Sequence, residues 1–210
     1  MAHPIYEAAL ALEIGLFLSY LSWAFGLVLA NSRSWRVCEF DSTIVPVVFI
    51  GLWEAFYFQI FNICGSPVEL PVYSQINMSW VISSEIAYGQ DLMLLDNFMK
   101  SVALVFSSVA LLVSWIDGPY PDFLRSCYNK AAIFLFLSCA CTVATVSWNF
   151  AVDFFGQTTL NFPQNFPIDK DILMRKCLSY VFPLGIMTAF LSLIGSTMFL
   201  YKQPNLKMDK

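Results

Sequence analysis

The chain has 210 residues, 58% of them hydrophobic and only 12% charged, with a mean hydropathy of +0.65. A soluble domain of this length carries about a quarter charged residues, so lipid is expected to solvate much of this chain. The formal net charge of -4, with 11 Lys and Arg, argues against the clustered basic surface that nucleic acid requires. A lone histidine, His3, excludes any mechanism built on an internal imidazole.

The first apolar run, Ala8 to Ala30, is 23 residues long with Glu13 near one end. At about 1.5 Å per residue it crosses a hydrocarbon core of about 30 Å. Glu13 is expected to face the other helices or the inner interface. A cleaved signal peptide is the competing reading, disfavoured because no basic residue precedes the run and because the run is too long for a signal core.

A long segment, 31–97, follows. Within it Thr43 to Ile63 is apolar enough to raise a further helix, but Pro46 and Gly51 interrupt it, Glu54 sits at its centre, and it is rich in Val, Ile, Phe and Tyr. A carboxylate at mid-bilayer costs several kcal/mol, about 2.5–3.5 on insertion scales. Two β-strands outside the membrane are expected here, with a helix as the alternative. Asn77-Met78-Ser79 is an N-glycosylation sequon.

The second span runs from Phe98 to Ile116, with Lys100 expected to snorkel to the interface. Asp117-Gly118-Pro119 ends it by turn chemistry. The third span is Ala131 to Val152 and the fourth 178–201, in which Pro183 is tolerable near the start. Segments 117–130 and 202–210 hold Arg125, Lys130, Lys202, Lys207 and Lys210, whereas 31–97 holds Arg33 and Arg36 against Glu39, Asp41, Glu54, Glu69, Glu85, Asp91 and Asp96. The positive-inside tendency therefore places both termini and 117–130 in the cytoplasm, and segments 31–97 and 153–177 outside. Lys170, Arg175 and Lys176 in the latter run against that trend. Ser107, Ser108, Thr142, Thr145 and Ser192 are expected to hydrogen-bond between helices. Cys139-Ala140-Cys141 reads as packing, and Cys127, near the inner membrane face, as a palmitoylation candidate or an inert thiol.

Several short motifs then fall in a recognisable order: Leu21-Ser22-Trp23, Trp35-Arg36-Val37, Gly51-Leu52-Trp53, Val146-Ser147-Trp148 and Asp153-Phe154-Phe155. Together with the four-span pattern, from about Ala8 to Tyr201, this resembles the claudins of tight junctions. Their mark is a Gly-Leu-Trp in the first extracellular loop followed by two cysteines. Phe56 stands where the first of those cysteines is expected, and Cys64 is the counterpart of the second. The resemblance implies one tetraspan domain: a membrane all-α four-helix bundle carrying a small extracellular antiparallel β-sheet, four strands from the first loop and one from the second. It also implies a role in adhesion at the plasma membrane, at cell junctions. There the chain would associate with claudins in cis and in trans and seal or open the paracellular space. A PDZ scaffold is not expected, because the sequence closes on Met208-Asp209-Lys210.

On this reading Trp35, Gly51, Leu52, Trp53 and Cys64 form the first-loop signature, with Trp53 anchoring the sheet at the outer leaflet. Cys38 and Cys64 are expected to pair in place of the family's bridge, with Cys177 as a rival partner. Asp153, Phe154 and Phe155 would touch a molecule on the opposing cell. Phe162 and Phe166 would either join that contact or pack on the sheet. The acidic first loop suits cations, but Gly65 and Ser66 follow Cys64 where charge selectivity is set in several claudins. An auxiliary subunit of a channel or receptor is the other role of this superfamily. An enzyme is not expected, since the sequence has no metal-spaced cluster, CxxC or phosphate-binding glycine loop. No cofactor and no metal is implied, and membrane lipid is the one non-protein partner.

Overall fold

The computed structural model describes residues 2–63, 65–76, 84–116, 120–155, 162, 166–167, 172–177 and 179–201, with side chains from Leu10 onward. The sequon at Asn77, the Asp117-Gly118-Pro119 stop, Cys64 and the tail from Lys202 lie outside them. The elements in chain order are α1 (Ala2–Ala30), β1 (Arg36–Phe40), β2 (Val47–Ile50), β3 (Glu54–Ile63), β4 (Ser66–Gln75), α2 (Ser84–Trp115), α3 (Pro121–Phe155), β5 (Leu173–Cys177) and α4 (Val181–Tyr201).

Four helices are long and apolar enough to cross a membrane: Leu10–Ala30, Ser84–Trp115, Pro121–Phe155 and Val181–Tyr201. Two are longer than the hydropathy runs suggest. α2 begins at Ser84 rather than near Phe98, so Glu85, Asp91 and Asp96 belong to a helix and not to a loop. α3 begins at Pro121, ten residues before Ala131. Proline suits a first helical position, where its missing N–H would have had no partner.

The chain divides into two compact units. One comprises Met1–Leu27, Leu92–Ala144 and Gly185–Lys210. Within it small and hydroxylated side chains draw the helices together. Ser22 Oγ donates to the Thr188 carbonyl (3.1 Å) and shares a 2.6 Å hydrogen bond with Ser192. Ser196 donates to the Ala132 carbonyl at 2.8 Å, and Tyr20 and Ser108 share a 3.1 Å bond. Gly195 lets α4 approach α1 closely, since a Cβ there would meet Ser19 Oγ at 2.8 Å. These contacts tie α1 to α2, α1 to α4 and α3 to α4, the hydrogen-bonded small-residue packing expected where lipid offers no hydrophobic drive between helices. Leu12, Ala103, Cys127, Tyr128, Leu135 and Phe199 share its buried apolar core.

The other unit comprises Val28–Asp91 and Thr145–Leu184 and holds a five-stranded antiparallel sheet in the order β4-β3-β2-β1-β5. The Thr43–Ile63 region is indeed two strands, β2 and β3, broken at Gly51. Alternation sets one face inward: Cys38, Phe40, Val48, Ile50, Ala55 and Tyr57 are buried. Phe166 and Phe162, from the segment before β5, pack on this core, with ring centroids 5.0 Å from Tyr57 and 5.9 Å from Phe40. Of the two roles open to them, they take the packing one.

β3 and β4 form a long hairpin whose register runs from Glu54↔Gln75 to Ile63↔Ser66. Gly65, at φ 85°, takes the left-handed conformation that a two-residue hairpin turn demands. β4 is an edge strand, and Pro67 and Pro71 sit opposite Asn62 and Phe58. Lacking an amide hydrogen, a proline can occupy an edge only where the N–H would point away from the ladder.

Candidate functional site

The Gly51-Leu52-Trp53 signature is a structural corner in which each residue has its own task. Gly51 lies so close to the chain leaving α1 that a Cβ would meet the Ser32 carbonyl oxygen at 2.7 Å and Arg33 Cα at 3.0 Å. Backbone atoms cannot yield as a side chain would, so Gly51→Ala is expected to destabilise the sheet unit by about 1–3 kcal/mol. Faster hydrogen exchange of the β2 and β3 amides would reveal it; unchanged exchange would mean that 32–33 is free to move. Leu52 is fully buried, 3.1 Å from a Cβ built on Gly89, and its carbonyl accepts Gln90 Nε2 at 2.6 Å.

Trp53 donates its indole N–H to the carbonyl of Ala30, the last residue of α1, at 3.0 Å. Trp35 does the same for the Leu29 carbonyl, also at 3.0 Å. The last carbonyls of a helix have no partner within it, and α1 has no basic residue in its final turn. Two signature tryptophans therefore cap one helix end, while the Trp53 ring stays 39% exposed.

Cys38 lies on the inward face of β1, opposite Val48, and Cys64, the partner expected for it, lies outside the described residues. Cys177 pairs with Val37, on the opposite face of the sheet from Cys38, and its Sγ donates to Glu39 Oε1 at 3.1 Å, which pushes its pKa up. Cys38 is a free buried thiol, with burial pushing its pKa up to about 11. At pH 8 about one part in a thousand is thiolate, so native-state alkylation of Cys38 is expected to be negligible. Unfolding without reductant should make it fully reactive; a reductant requirement in mass mapping would restore the bridge. The residue opposite Phe56 is Tyr73, with ring centroids 5.1 Å apart, so an aromatic pair joins β3 to β4 there.

Other expected sites are redistributed. Asp153 is buried, with Lys176 Nζ 2.7 Å from its carbonyl oxygen and 3.8 Å from Oδ1, so the exposed residues of that motif are Phe154 and Phe155. Cys127 is buried in the apolar core it shares with Leu124, Tyr128 and Phe199. Glu13 is exposed rather than turned into the bundle.

Lys100 does not snorkel. It is fully buried, 2.6 Å from the equally buried Asp96 one turn earlier on α2. Asp96 Oδ1 also accepts Ser138 Oγ at 2.5 Å and Thr142 Oγ1 at 3.0 Å, both on α3. The Asp96–Lys100 spacing of four was visible in the sequence, but the hydropathy run hid it by starting at Phe98. Among the first-loop acids, Glu54 pairs with Arg33, and Glu85 with the buried Arg36 at 3.1 Å. Three of the seven acids thus already face a cation of this chain, which weakens the segment's pull on outside cations. Among the described residues no group of three or more His, Cys, Asp or Glu is placed to hold a metal ion.

The exposed surface is apolar where the hairpin extends beyond the core: Phe58, Ile60, Phe61, Ile63, Val68 and Leu70 are each 37–48% exposed. By the register, Phe58 and Ile60 lie on one face of the hairpin and Phe61, Ile63, Val68 and Leu70 on the other.

Four helices long and apolar enough to cross a membrane, with a small antiparallel sheet, are the features of a multi-pass membrane protein. The sequence matches no protein-family model and no curated protein.

Proposed function

We propose that the chain is a claudin-like structural membrane protein of cell–cell contacts at the plasma membrane, forming or modulating paracellular barrier strands through its extracellular segments. The observation that supports this most is the make-up of the sheet. Four strands come from between α1 and α2 and the fifth from between α3 and α4, on a chain with four apolar helices. The Gly51-Leu52-Trp53 corner adds to it, as do the exposed apolar side chains Phe61, Ile63, Val68 and Leu70 on one face of the hairpin, which are suited to burial against a neighbouring copy or an opposing claudin. Fold alone does not fix function, so the test is assembly. Expressed in fibroblasts that lack junctions and imaged by freeze-fracture, the chain is expected to give continuous intramembrane strands at cell contacts. Diffuse surface label with a co-purified channel or receptor would overturn this in favour of an auxiliary subunit.

A further inference from the structure

The geometry points to a binding cleft for the headgroup and upper chain of one zwitterionic phospholipid at the corner between α1 and the outer face of the sheet. The inference rests on the multi-pass membrane reading and not on strand formation. The cleft has a volume of about 530 Å³ and is lined by Val28, Asn31, Arg33, Phe49, Phe56 and Tyr180, among others. That volume suits one small amphiphile, in the range of about 300–1,000 Å³ typical of ligand sites.

The two ends of the cleft differ in chemistry. Val28 is half-exposed and belongs to α1, within the stretch Leu10–Ala30 that is apolar enough to cross a membrane. One end is therefore continuous with a lipid-facing surface. A few residues on, the lining residue Arg33 pairs with the part-exposed Glu54 beside the cleft. Ser32 Oγ and Tyr180 Oη, 2.8 Å apart, close the wall between them. Phe49, Phe56 and Tyr73 form an aromatic row, with centroids 6.0 and 5.1 Å apart, and the Arg33 guanidinium lies 5.0 Å over the Tyr73 ring.

An occupant must then be apolar at one end and dipolar at the other. Guanidinium groups match phosphate oxygens in a planar fork. Aromatic faces beside a carboxylate attract a quaternary ammonium. Arg33 supplies the first element, and Phe49 and Phe56, beside the Glu54 carboxylate paired with Arg33, the adjoining second, for a headgroup whose chains enter past Val28.

Native mass spectrometry of the detergent-solubilised chain tests this, with dioleoylphosphatidylcholine, dioleoylphosphatidylglycerol and dioleoylglycerol as probes. One phosphatidylcholine is expected to be retained preferentially, phosphatidylglycerol less, and the uncharged diacylglycerol not at all. Arg33→Gln should weaken phosphatidylcholine retention about tenfold, the loss of one charge-assisted contact, while Arg33→Lys restores part of it. Glu54→Gln should weaken phosphatidylcholine but not phosphatidylglycerol, a readout that holds even if Arg33→Gln fails to fold. Equal retention of all three lipids, or of phosphatidylcholine by wild type and Glu54→Gln, overturns the proposal. Because it is read on the isolated chain, it fails or stands separately from the freeze-fracture test.

Discussion

Asp96→Asn is expected to lower the stability of the detergent-solubilised chain by about 3–5 kcal/mol. The reason is what it leaves behind. Lys100 has no solvent exposure, and the other hydrogen bond shown for its ammonium is a long one, to Thr142 Oγ1 at 3.5 Å. An ammonium without its carboxylate in such a place loses far more than the pair contributed while intact, since much of the attraction only offset desolvation. The double variant Asp96→Asn with Lys100→Met removes both charges and should recover most of the loss. SDS titration followed by circular dichroism measures both. Additive penalties, or a single-variant loss below about 1 kcal/mol, would mean that the pair is solvated like a surface salt bridge.

Arg36→Met should cost a similar amount, about 3–5 kcal/mol, in the sheet unit. Arg36 opens β1 with its side chain on the inward face, 3.1 Å from Glu85 in the first turn of α2, and both are 4% exposed. Glu85 would keep its place in the helix but lose the guanidinium that balances its charge. Hydrogen exchange of the β1 amides, 37–40, should accelerate, and adding Glu85→Gln should slow it again by removing the uncompensated carboxylate. If β1 exchange does not change, the strand is held by its apolar face alone.

The legible part of this fold was the part written in composition and punctuation. Pro46, Gly51 and Glu54 betrayed the strands within an apolar stretch because each is costly in a membrane helix and cheap at a strand end or turn. The apolar centres of the four helices were equally plain. Helix ends were not: residues 84–97 of α2 carry Glu85, Gly89, Asp91 and Asp96, and an average over hydropathy reads such a stretch as loop even when each acid is part of a helix. Lys100 was misjudged for the same reason, because its partner lay just outside the apolar run.

Pairings between distant residues were the least legible. Strand register alone decides which residues can meet, and a single antiparallel step separates faces as well as rows: it sets Cys177 against Val37, on the opposite face from Cys38. Neither the Phe56–Tyr73 pair nor the Arg33 group above it could be found without knowing that β4 folds back residue for residue along β3. The signature tripeptide was recognisable, but its reasons were not: Gly51 is glycine because another backbone occupies its side-chain space, and Trp53 is tryptophan at least partly because a helix needs its last carbonyls capped.

The two prolines of β4 also bear on how copies of this chain can meet. A strand recruited to that rim would find amide donors missing at positions 67 and 71, so main-chain templating from one molecule to the next stalls after a residue or two. Any contact between copies at that rim would rest chiefly on side chains, and an assembly so held could be dismantled and rebuilt instead of hardening into a fibre.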